Sequence, residues 1–490
     1  AWVRQDRVAY YPSADVFQDQ PATLAQTRRL TNSGFKVDIN YTKGIHNVKG
    51  GFVFNDTPLS EYFQTGITDP LANALCVDAN GVPVVGTGVN EPGNCASSGY
   101  TANLGFSSGL LPFDLTRGGQ LFTFRGSTAI KQEGVYVQDS ITVHNFNIQL
   151  GLRADNYDGL SSRTGIQPRT GVSYQIKKTG TVFRASYGRI FLTPYNENLI
   201  LSSSTGIGGL ESAEGGGAVS LIPARRNHFE TGFQQAFDGW LVVDASYFWK
   251  FTDDDFDFDV FLNTPLAFPI QWRKSKIDGF SIRVSMPEHH GLSAYSVMGH
   301  TRARFFEPEV GGLIFNSPVT DEPVFRIDHD QAFQQNTHIQ YQPTKRSPWL
   351  AFTWSYESGE VAGAVPDFAT LLTLTGDQQQ QAGLFCGSTF ATVASPIRTC
   401  NGNIGSTRLT IPPVGTYDAD KNPSRVAPRN LFDAAIGWDN IFNKDRYKVN
   451  LRFTAVNVTN EDVLYNLLST FSGTHFVTPR SYKAEIGMDF

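Results

Sequence analysis

The sequence lacks any long apolar run. None of its 490 residues lies in a stretch approaching the roughly 20 consecutive apolar residues that a membrane-spanning helix requires. The mean hydropathy is −0.24. A chain of this kind is either soluble or a membrane β-barrel, because alternating strands conceal their lipid-facing side chains from hydropathy averages.

Positive charge and catalytic motifs are also scarce. The chain has 40 Lys and Arg against 46 Asp and Glu, a net charge of −6, and no basic stripe with interleaved aromatic residues. We therefore expect no nucleic-acid partner. There is no GxSxG, HExxH or P-loop motif, so nothing in the sequence indicates an enzyme. No signal peptide is recognisable, and Ala1 opens directly into a strand-like stretch, which indicates a processed or truncated N-terminus.

Only 4 cysteines are present, and they fall into two close pairs, Cys76 with Cys95 and Cys386 with Cys400. Each pair lies in a long segment rich in Gly, Asn, Ser and Thr. Neither pair has CxxC spacing or neighbouring histidines, which argues against zinc. We predict two local disulfides that close two long loops, and therefore an oxidising compartment.

Alternation of apolar and polar residues is abundant. In residues 146–155 the odd positions are polar or glycine, and the even positions are apolar. The end of the chain has the same pattern, with Tyr482, Ile486, Met488 and Phe490 on one face. A period of two indicates strands with one apolar and one polar face. We expect the last strand to be the one that the outer-membrane assembly machinery engages. In a barrel closed by this chain alone, it would pair with the strand at residues 2–10.

The connections between the predicted strands alternate between short and long. The short ones hold about two to seven residues, as in hairpins. The long ones are predicted at residues 55–130, 193–225, 252–268 and 358–428. Strands of about ten residues with small turns at one end and large loops at the other are typical of outer-membrane barrels. A soluble propeller would instead show a repeat near 40 residues.

We therefore predict an all-β fold, a transmembrane antiparallel up-and-down β-barrel spanning residues 1–490, with about sixteen strands. An even count places both termini on the short-turn, periplasmic side of a bacterial outer membrane. The apolar positions would face lipid, and the Lys, Asp, Asn, Gln and Arg positions would face a wet lumen.

Several motifs, in this order, resemble those of TonB-dependent outer-membrane receptors. The matching stretches are residues 136–140 (YVQDS), 151–153 (GLR), 167–171 (QPRTG), 183–188 (FRASYG), 456–460 (VNVTN) and 479–482 (PRSY) with the terminal Phe490. Residues 327–331 (IDHDQ) are similar to the Oar-like branch of that family. The resemblance covers most of the strand-forming chain.

The resemblance implies a transport receptor that takes up a scarce small solute through a plugged barrel of twenty-two strands, energised by a TonB-type complex. The chain departs from the family because neither a plug domain nor a TonB box is recognisable, and about sixteen strands leave six unaccounted for. We interpret the chain as the barrel portion of a longer gene product. The alternatives are a passive porin-like channel and a structural or adhesive surface protein that assembles through its disulfide-closed loops.

Two sets of loop residues are candidate sites. Aromatic side chains in the long loops are predicted ligand contacts, because loops on a rigid scaffold carry recognition; they are Phe191, Tyr195, Phe256, Phe258, Phe385 and Phe390. The acidic run at residues 253–259 is either a solvated acidic rim or a source of clustered oxygens for calcium, although it lacks the Gly and distal Glu of an EF-hand. Its candidate ligands are Asp253, Asp255, Asp257 and Asp259. No other cofactor is expected.

Overall fold

The alternating residues form one large antiparallel sheet of sixteen principal strands. In the computed structural model, each strand pairs with the next along the chain. The structure describes residues 1–10, 21–79, 82–103, 106, 108–203, 220–260, 266–311, 322–363, 365–443, 447–469 and 473–489. The terminal Phe490, part of the predicted last strand, lies outside the described residues. The up-and-down order predicted from the sequence is confirmed.

The sixteen strands are numbered here in chain order. They are β1 (Trp2–Tyr10), β2 (Ala22–Lys43), β3 (His46–Ile67), β4 (Phe122–Val143), β5 (Phe146–Asp158), β6 (Ser162–Ile176), β7 (Thr181–Leu192), β8 (Ala224–Phe237), β9 (Leu241–Val260), β10 (Ala267–His289), β11 (Leu292–Gly311), β12 (Gln334–Tyr341), β13 (Trp349–Glu357), β14 (Arg429–Trp438), β15 (Lys448–Val456) and β16 (Ser481–Asp489). A short strand, Val324–Arg326, adds to the outer part of β11.

The short connections are tight turns. At the turn between β10 and β11, His290 and Gly291 both have positive φ angles, 52° and 83°, as in the hairpin turns whose twist matches the sheet. A side chain at Gly291 would place its Cβ 2.2 Å from the carbonyl oxygen of Gln342. Glycine is therefore required there by both the backbone angle and the close approach of the next turn.

One face of the sheet is apolar and exposed. Ile39 is 70% exposed and Ile486 is 78% exposed, which in water would leave large apolar area uncovered. Other exposed apolar side chains on the sheet are Phe35, Val37, Val135, Val137, Leu150, Leu152, Phe229, Phe233, Leu350, Phe352, Leu451, Phe453, Tyr482 and Met488. An apolar outer band of this kind is what lipid covers in a membrane barrel.

The opposite face of β2–β9 is polar. Arg184 of β7 forms two hydrogen bonds with Asp244 of β9, of 2.8 and 2.6 Å. Arg153 and Asp155 of β5 form a similar pair, with bonds of 2.7 and 2.6 Å. These pairs lie on the face that a curved sheet turns toward its lumen, as the alternation predicts.

Two of the predicted loops are shorter than expected. β3 continues to Ile67 and β4 begins at Phe122, so the connection predicted at 55–130 occupies only 68–121. The predicted loop 252–268 is largely strand, because β9 runs to Val260 and pairs with β10 from Ala267 onward. In both places the hairpin extends beyond the length that crosses a bilayer. In these extensions, buried positions of the strands carry polar residues such as Glu61 and Asp255. The apolar face is therefore interrupted, and the sequence there resembles a loop.

The first and last strands do not pair with each other. β16 pairs with β15 along Ser481–Asp489, and β1 pairs with β2. Within the described residues no backbone pairing joins β1 to β16, so these two strands are the edges of the sheet. A barrel closed by this chain alone would have joined them.

The buried side chains collect where the strands meet the long connections. The largest cluster joins β2–β5, β9–β11 and residues of the connection 193–223; its fully buried members include Phe63, Leu199 and Phe268. A second cluster lies within the connection 358–428 and the segment 464–468, and a third surrounds Cys76 and Cys95. Among the described residues no helix has the length and apolar character to span a membrane.

Candidate functional site at the mouth of the barrel

The connection between β7 and β8 enters the space enclosed by the sheet. Its residues 193–203, here called the bridging segment, contain a one-turn helix, Leu199–Ser202. This helix contacts β3, β4 and β10. β3 and β10 are seven strands apart, roughly 34 Å along the sheet at 4.8 Å per strand. Two such distant strands can contact one short helix only from the concave side, so the bridging segment lies across the mouth on the long-loop side.

The bridging segment is fixed to one wall by β2 and β3. The Glu61 carboxylate of β3 accepts hydrogen bonds from the backbone nitrogens of Ile200 at 3.3 Å and Leu201 at 2.9 Å. Arg28 of β2 forms an ion pair with Glu197 at 3.2 Å. Glu61 is only 3% exposed, and burial raises its pKa to about 7. This carboxyl group lies beyond the roughly 10 residues of β3 that a tilted strand needs to cross a bilayer.

The bridging segment is attached to the opposite wall through backbone carbonyl groups of β10. The Asn198 amide nitrogen donates to the Ala267 carbonyl at 2.5 Å, and its amide oxygen accepts from Gln26 of β2. The Ser202 hydroxyl donates to the Pro269 carbonyl at 2.5 Å. Asn198 has a positive φ of 50°, a conformation that asparagine tolerates better than most residues. One asparagine therefore links β2 to β10 through the bridging segment.

Sequence reasoning missed Glu61, Gln26 and Arg28. The available signal was the spacing of Leu59, Glu61 and Phe63, which occupy every second position and so continue the period of two beyond the predicted end of β3. A carboxylate between two apolar residues of the same face indicates a buried acid, which needs hydrogen-bond partners in the fold. No signal pairs it with residues 200 and 201, because that contact joins positions far apart in the chain.

Three of the six predicted ligand-contact residues lie together. The Tyr195 ring stacks on Phe258 with a centroid separation of 4.6 Å and meets Phe256 edge-on at 5.8 Å. Tyr195, a residue of the bridging segment, is 48% exposed, so this aromatic group has an open surface. Phe191 packs against the large buried cluster, and its backbone nitrogen donates to Gln167 at 3.1 Å. The packing of Phe191 therefore stabilises the wall of the barrel.

The remaining two aromatic residues belong to another loop. Phe385 and Phe390 pack with a ring separation of 5.6 Å on a small sheet of Leu384–Cys386, Thr389–Phe390 and Ile404–Ser406. This sheet and the helices Phe368–Thr373 and Gly376–Ala382 belong to the connection 358–428, here called the second loop body, which has its own buried residues, including Leu371 and Leu384. Phe390 is exposed. No ring contact among the described residues joins this pair to Tyr195.

Both predicted disulfides are formed, Cys76 with Cys95 and Cys386 with Cys400. They close loops of 19 and 14 residues in sequence separation. Closing a loop of about 15 residues stabilises the folded loop by roughly 3 kcal/mol in the chain-entropy description.

The two disulfides are expected to differ in reactivity toward dithiothreitol. Cys76 and Cys95 are both completely buried, whereas Cys386 and Cys400 are partly exposed. Attack by a thiolate requires access to sulfur, so Cys386–Cys400 should be reduced first under native conditions. Timed alkylation with peptide mass spectrometry measures the order. Urea at a denaturing concentration is the control and should remove the difference; equal native rates would contradict the burial argument.

The acidic run is a strand rather than a loop, and several of its carboxylates have protein partners. Asp255 binds Arg226 at 3.0 Å and Ser275 at 2.5 Å, and Asp257 accepts from the Trp272 indole at 3.3 Å. Side chains two positions apart on a strand are separated by roughly 6–7 Å, too far for Asp253, Asp255, Asp257 and Asp259 to converge on one ion. The described residues contain no group of three or more His, Cys, Asp or Glu side chains that could hold a metal. The calcium prediction finds no support there.

A buried carboxylate joins the second loop body to the sheet. Asp330 is 0% exposed and forms ion pairs with Arg326 at 3.0 Å and Arg425 at 2.5 Å. It also accepts from the backbone nitrogen of Ala303 in β11 at 2.7 Å. Arg326 forms a second ion pair, with Asp420 at 2.7 Å. The segments near 303, 326, 330 and 425 are thus connected through one side chain.

His329 lies beside Asp328, and Ser469 is close to the same carboxylate. His329 Nδ1 is 2.5 Å from one oxygen of Asp328, and the Ser469 hydroxyl donates to the other. In a catalytic triad the histidine lies between the serine and the carboxylate. Here the carboxylate occupies the middle position, so this group has the wrong order for nucleophilic catalysis.

An antiparallel sheet with an apolar outer face, a polar inner face and loops folded into its mouth defines a transmembrane β-barrel of the outer-membrane type. The chain belongs to the TonB-dependent receptor family: the family model described as "TonB dependent receptor-like, beta-barrel" matches residues 2–460. The family resemblance inferred from the motifs is confirmed at this level. Membership of the Oar-like branch stays a prediction.

Solved structures share the fold. The ferric citrate transporter FecA in its unliganded form superposes with a TM-score of 0.54 and 14% identity, covering 99% of this chain and 57% of that one. The copper transporter OprC gives 0.53 and 10%, covering 99% and 60%. The ferric yersiniabactin uptake receptor FyuA from Yersinia pestis gives 0.53 and 8%, covering 99% and 57%. The chain thus spans less than two thirds of each of them. Comparison with curated protein sequences gives no match.

Proposed function

We propose that this chain is the barrel portion of a TonB-dependent receptor that imports a scarce small solute across a bacterial outer membrane. The observation that carries the proposal is the family match over residues 2–460. The bridging segment adds support, because it lies across the mouth between β3 and β10. A segment in that position narrows the mouth, so solutes would diffuse through this barrel more slowly than through an open channel.

The sixteen strands are proposed to be part of a barrel of twenty-two. The unpaired outer edges of β1 and β16 support this, because open strand edges are not tolerated in lipid. The 57–60% coverage of the three solved structures also supports it. A plug domain would come from sequence outside this chain and would be the element that the TonB-type complex pulls.

The other partners are assigned by the chemistry of the surfaces. Outer-membrane lipid would cover the apolar face that includes Ile39 and Ile486. The assembly machinery would engage β16, with Tyr482, Ile486 and Met488 on the exposed face, and Phe490 following them in sequence. Both termini would then be periplasmic, on the side of the short turns.

The aromatic group of Tyr195, Phe256 and Phe258 is the proposed point of solute contact at the mouth. Aromatic side chains in a partly enclosed site supply contact area at a low cost in conformational entropy. Phe390 on the second loop body is a further proposed contact, because it is exposed. The solved structures share too little sequence identity to indicate the solute.

Uptake in a host with and without TonB tests the proposal. The full-length gene product would be expressed in the outer membrane, and a panel of labelled sugars, peptides, metal chelates and corrinoids would be offered. Accumulation of one class should require both TonB and an energised inner membrane. Equal accumulation without TonB would favour a passive channel, and failure of every class to accumulate would count against import.

Replacement of Tyr195 by alanine is expected to weaken binding of the imported solute by about fivefold or more, since stacking on an aromatic ring contributes roughly 1–3 kcal/mol. Val414→Ala is the matched control, because Val414 is 92% exposed on the second loop body and offers no aromatic surface. Equilibrium binding to whole cells measures both variants. Equal affinities of the Tyr195→Ala variant and the unaltered protein would show that Tyr195 does not contact the solute.

A further inference from the structure

A polar row crosses four strands on the lumen face. Lys49 of β3 is directly opposite Gln138 of β4, Gln138 is opposite Gly151 of β5, and Gly151 is opposite Arg169 of β6. Directly opposed residues of a sheet point to the same side. The two long cationic side chains therefore flank an amide and a position with no side chain.

The cations in the next two rows on this face, Arg153 and then Lys36, have local partners. Lys36 is 3.0 Å from Asp38, and Arg153 forms its two hydrogen bonds with Asp155. Within the described part of the chain, no ion pair or side-chain hydrogen bond is found for Lys49 or Arg169. These two cations are therefore the surplus positive charge on this part of the wall.

The row forms a groove with a floor of backbone. Lys36, Lys49, Tyr136, Gln138, Arg153 and Arg169 line a cavity of about 170 Å³ at Gly151. A Cβ atom added at Gly151 would lie 3.4 Å from the Cβ of Gln138 and 3.8 Å from that of Arg169. These are ordinary contacts, so glycine is not required by packing, and its missing side chain leaves the space open.

We propose that this groove binds a small oxyanion, a phosphate or carboxylate group carried by a solute in the lumen. Arg169 supplies a planar set of donors that matches two oxygens of such a group, Lys49 supplies a point charge from the other side, and the Gln138 amide donates between them. The low-dielectric wall strengthens the attraction relative to open water. The inference goes beyond the proposed function and requires only that the groove be open to the lumen.

Calorimetric titration of the full-length gene product in detergent, at low ionic strength, tests the groove with inorganic phosphate and malonate as probes. Lys49→Gln with Arg169→Gln should weaken binding by at least about tenfold for each charge removed, the usual size for a charge-assisted hydrogen bond. Gly151→Val should abolish binding with every charge retained, because it fills the groove. Tighter binding of phosphate or of malonate identifies which oxyanion the groove prefers.

Lys177→Gln with Lys178→Gln is the matched control. It removes two positive charges from the exposed turn between β6 and β7 and should leave both affinities unchanged. An equal loss in the control would mean that net charge alone attracts anions. No binding by the unaltered chain, or unchanged binding in the Gly151→Val variant, would also overturn the proposal. Circular dichroism of each variant establishes that the sheet is retained.

Discussion

Replacement of Asp330 by alanine should destabilise the packing of the second loop body on the sheet by about 3–5 kcal/mol. Removing one member of a buried ion pair leaves the remaining charge uncompensated, and costs of this size are typical. Asp330 is fully buried between Arg326 and Arg425, so its loss leaves two guanidinium groups with one carboxylate fewer. The backbone nitrogen of Ala303 also loses its acceptor.

Urea unfolding in detergent, followed by tryptophan fluorescence, with limited proteolysis of the 358–428 connection, measures this effect. Asp330→Asn retains the shape and should have an intermediate cost. The control is Asp6→Ala, which breaks an exposed pair with Arg4 at 3.1 Å and should change stability by at most about 1 kcal/mol. Similar results for the Asp330→Ala and Asp6→Ala variants would show that the buried contacts contribute little.

Raising the pH from about 4.5 to about 7 should loosen the bridging segment. Burial raises the pKa of Glu61 from 4.5 to about 7, so the folded state retains a proton that the unfolded state releases. The stabilisation from this proton is fully present below about pH 4.5 and is lost as the pH rises through about 7. The difference corresponds to at most about 3 kcal/mol.

Hydrogen exchange of the Ile200 and Leu201 amides, corrected for intrinsic exchange chemistry, measures the effect. We expect protection to fall by up to about a hundredfold across this range. Glu61→Gln should remove the pH dependence, because a neutral amide does not titrate there. Glu197→Gln is the control in the same segment and should retain it. A flat profile in the unaltered protein would show that Glu61 does not govern the anchoring.

The class of fold could be predicted because lipid imposes a simple rule on each strand. Positions such as Val37 and Ile39 must be apolar, and the intervening Asp38 is free to be polar. The period of two can therefore be recognised in a single strand, without knowledge of its partner. Tight turns identify hairpins in the same way. The alternation does not reveal where a strand leaves the membrane, which is why residues 55–67 and 252–260 were assigned to loops.

The candidate site was predicted only in part. Tyr195, Phe256 and Phe258 were identified as aromatic residues in loops, and the structure brings these three together. The same reasoning grouped them with Phe191, which packs into the wall, and with Phe385, which belongs to a separate loop body. Aromatic content indicates a recognition surface, but packing and ligand contact require the same residue types.

The sequence by itself determined the strand periodicity, the order of hairpins, the two disulfide pairs and the family, because each depends on neighbouring residues or on local spacing. Only the tertiary structure decided that the bridging segment lies between β3 and β10, and that Lys49 and Arg169 flank the same glycine. Those contacts join residues up to 140 positions apart in the chain. Their formation depends on sheet curvature and strand register, which no local pattern of side chains specifies.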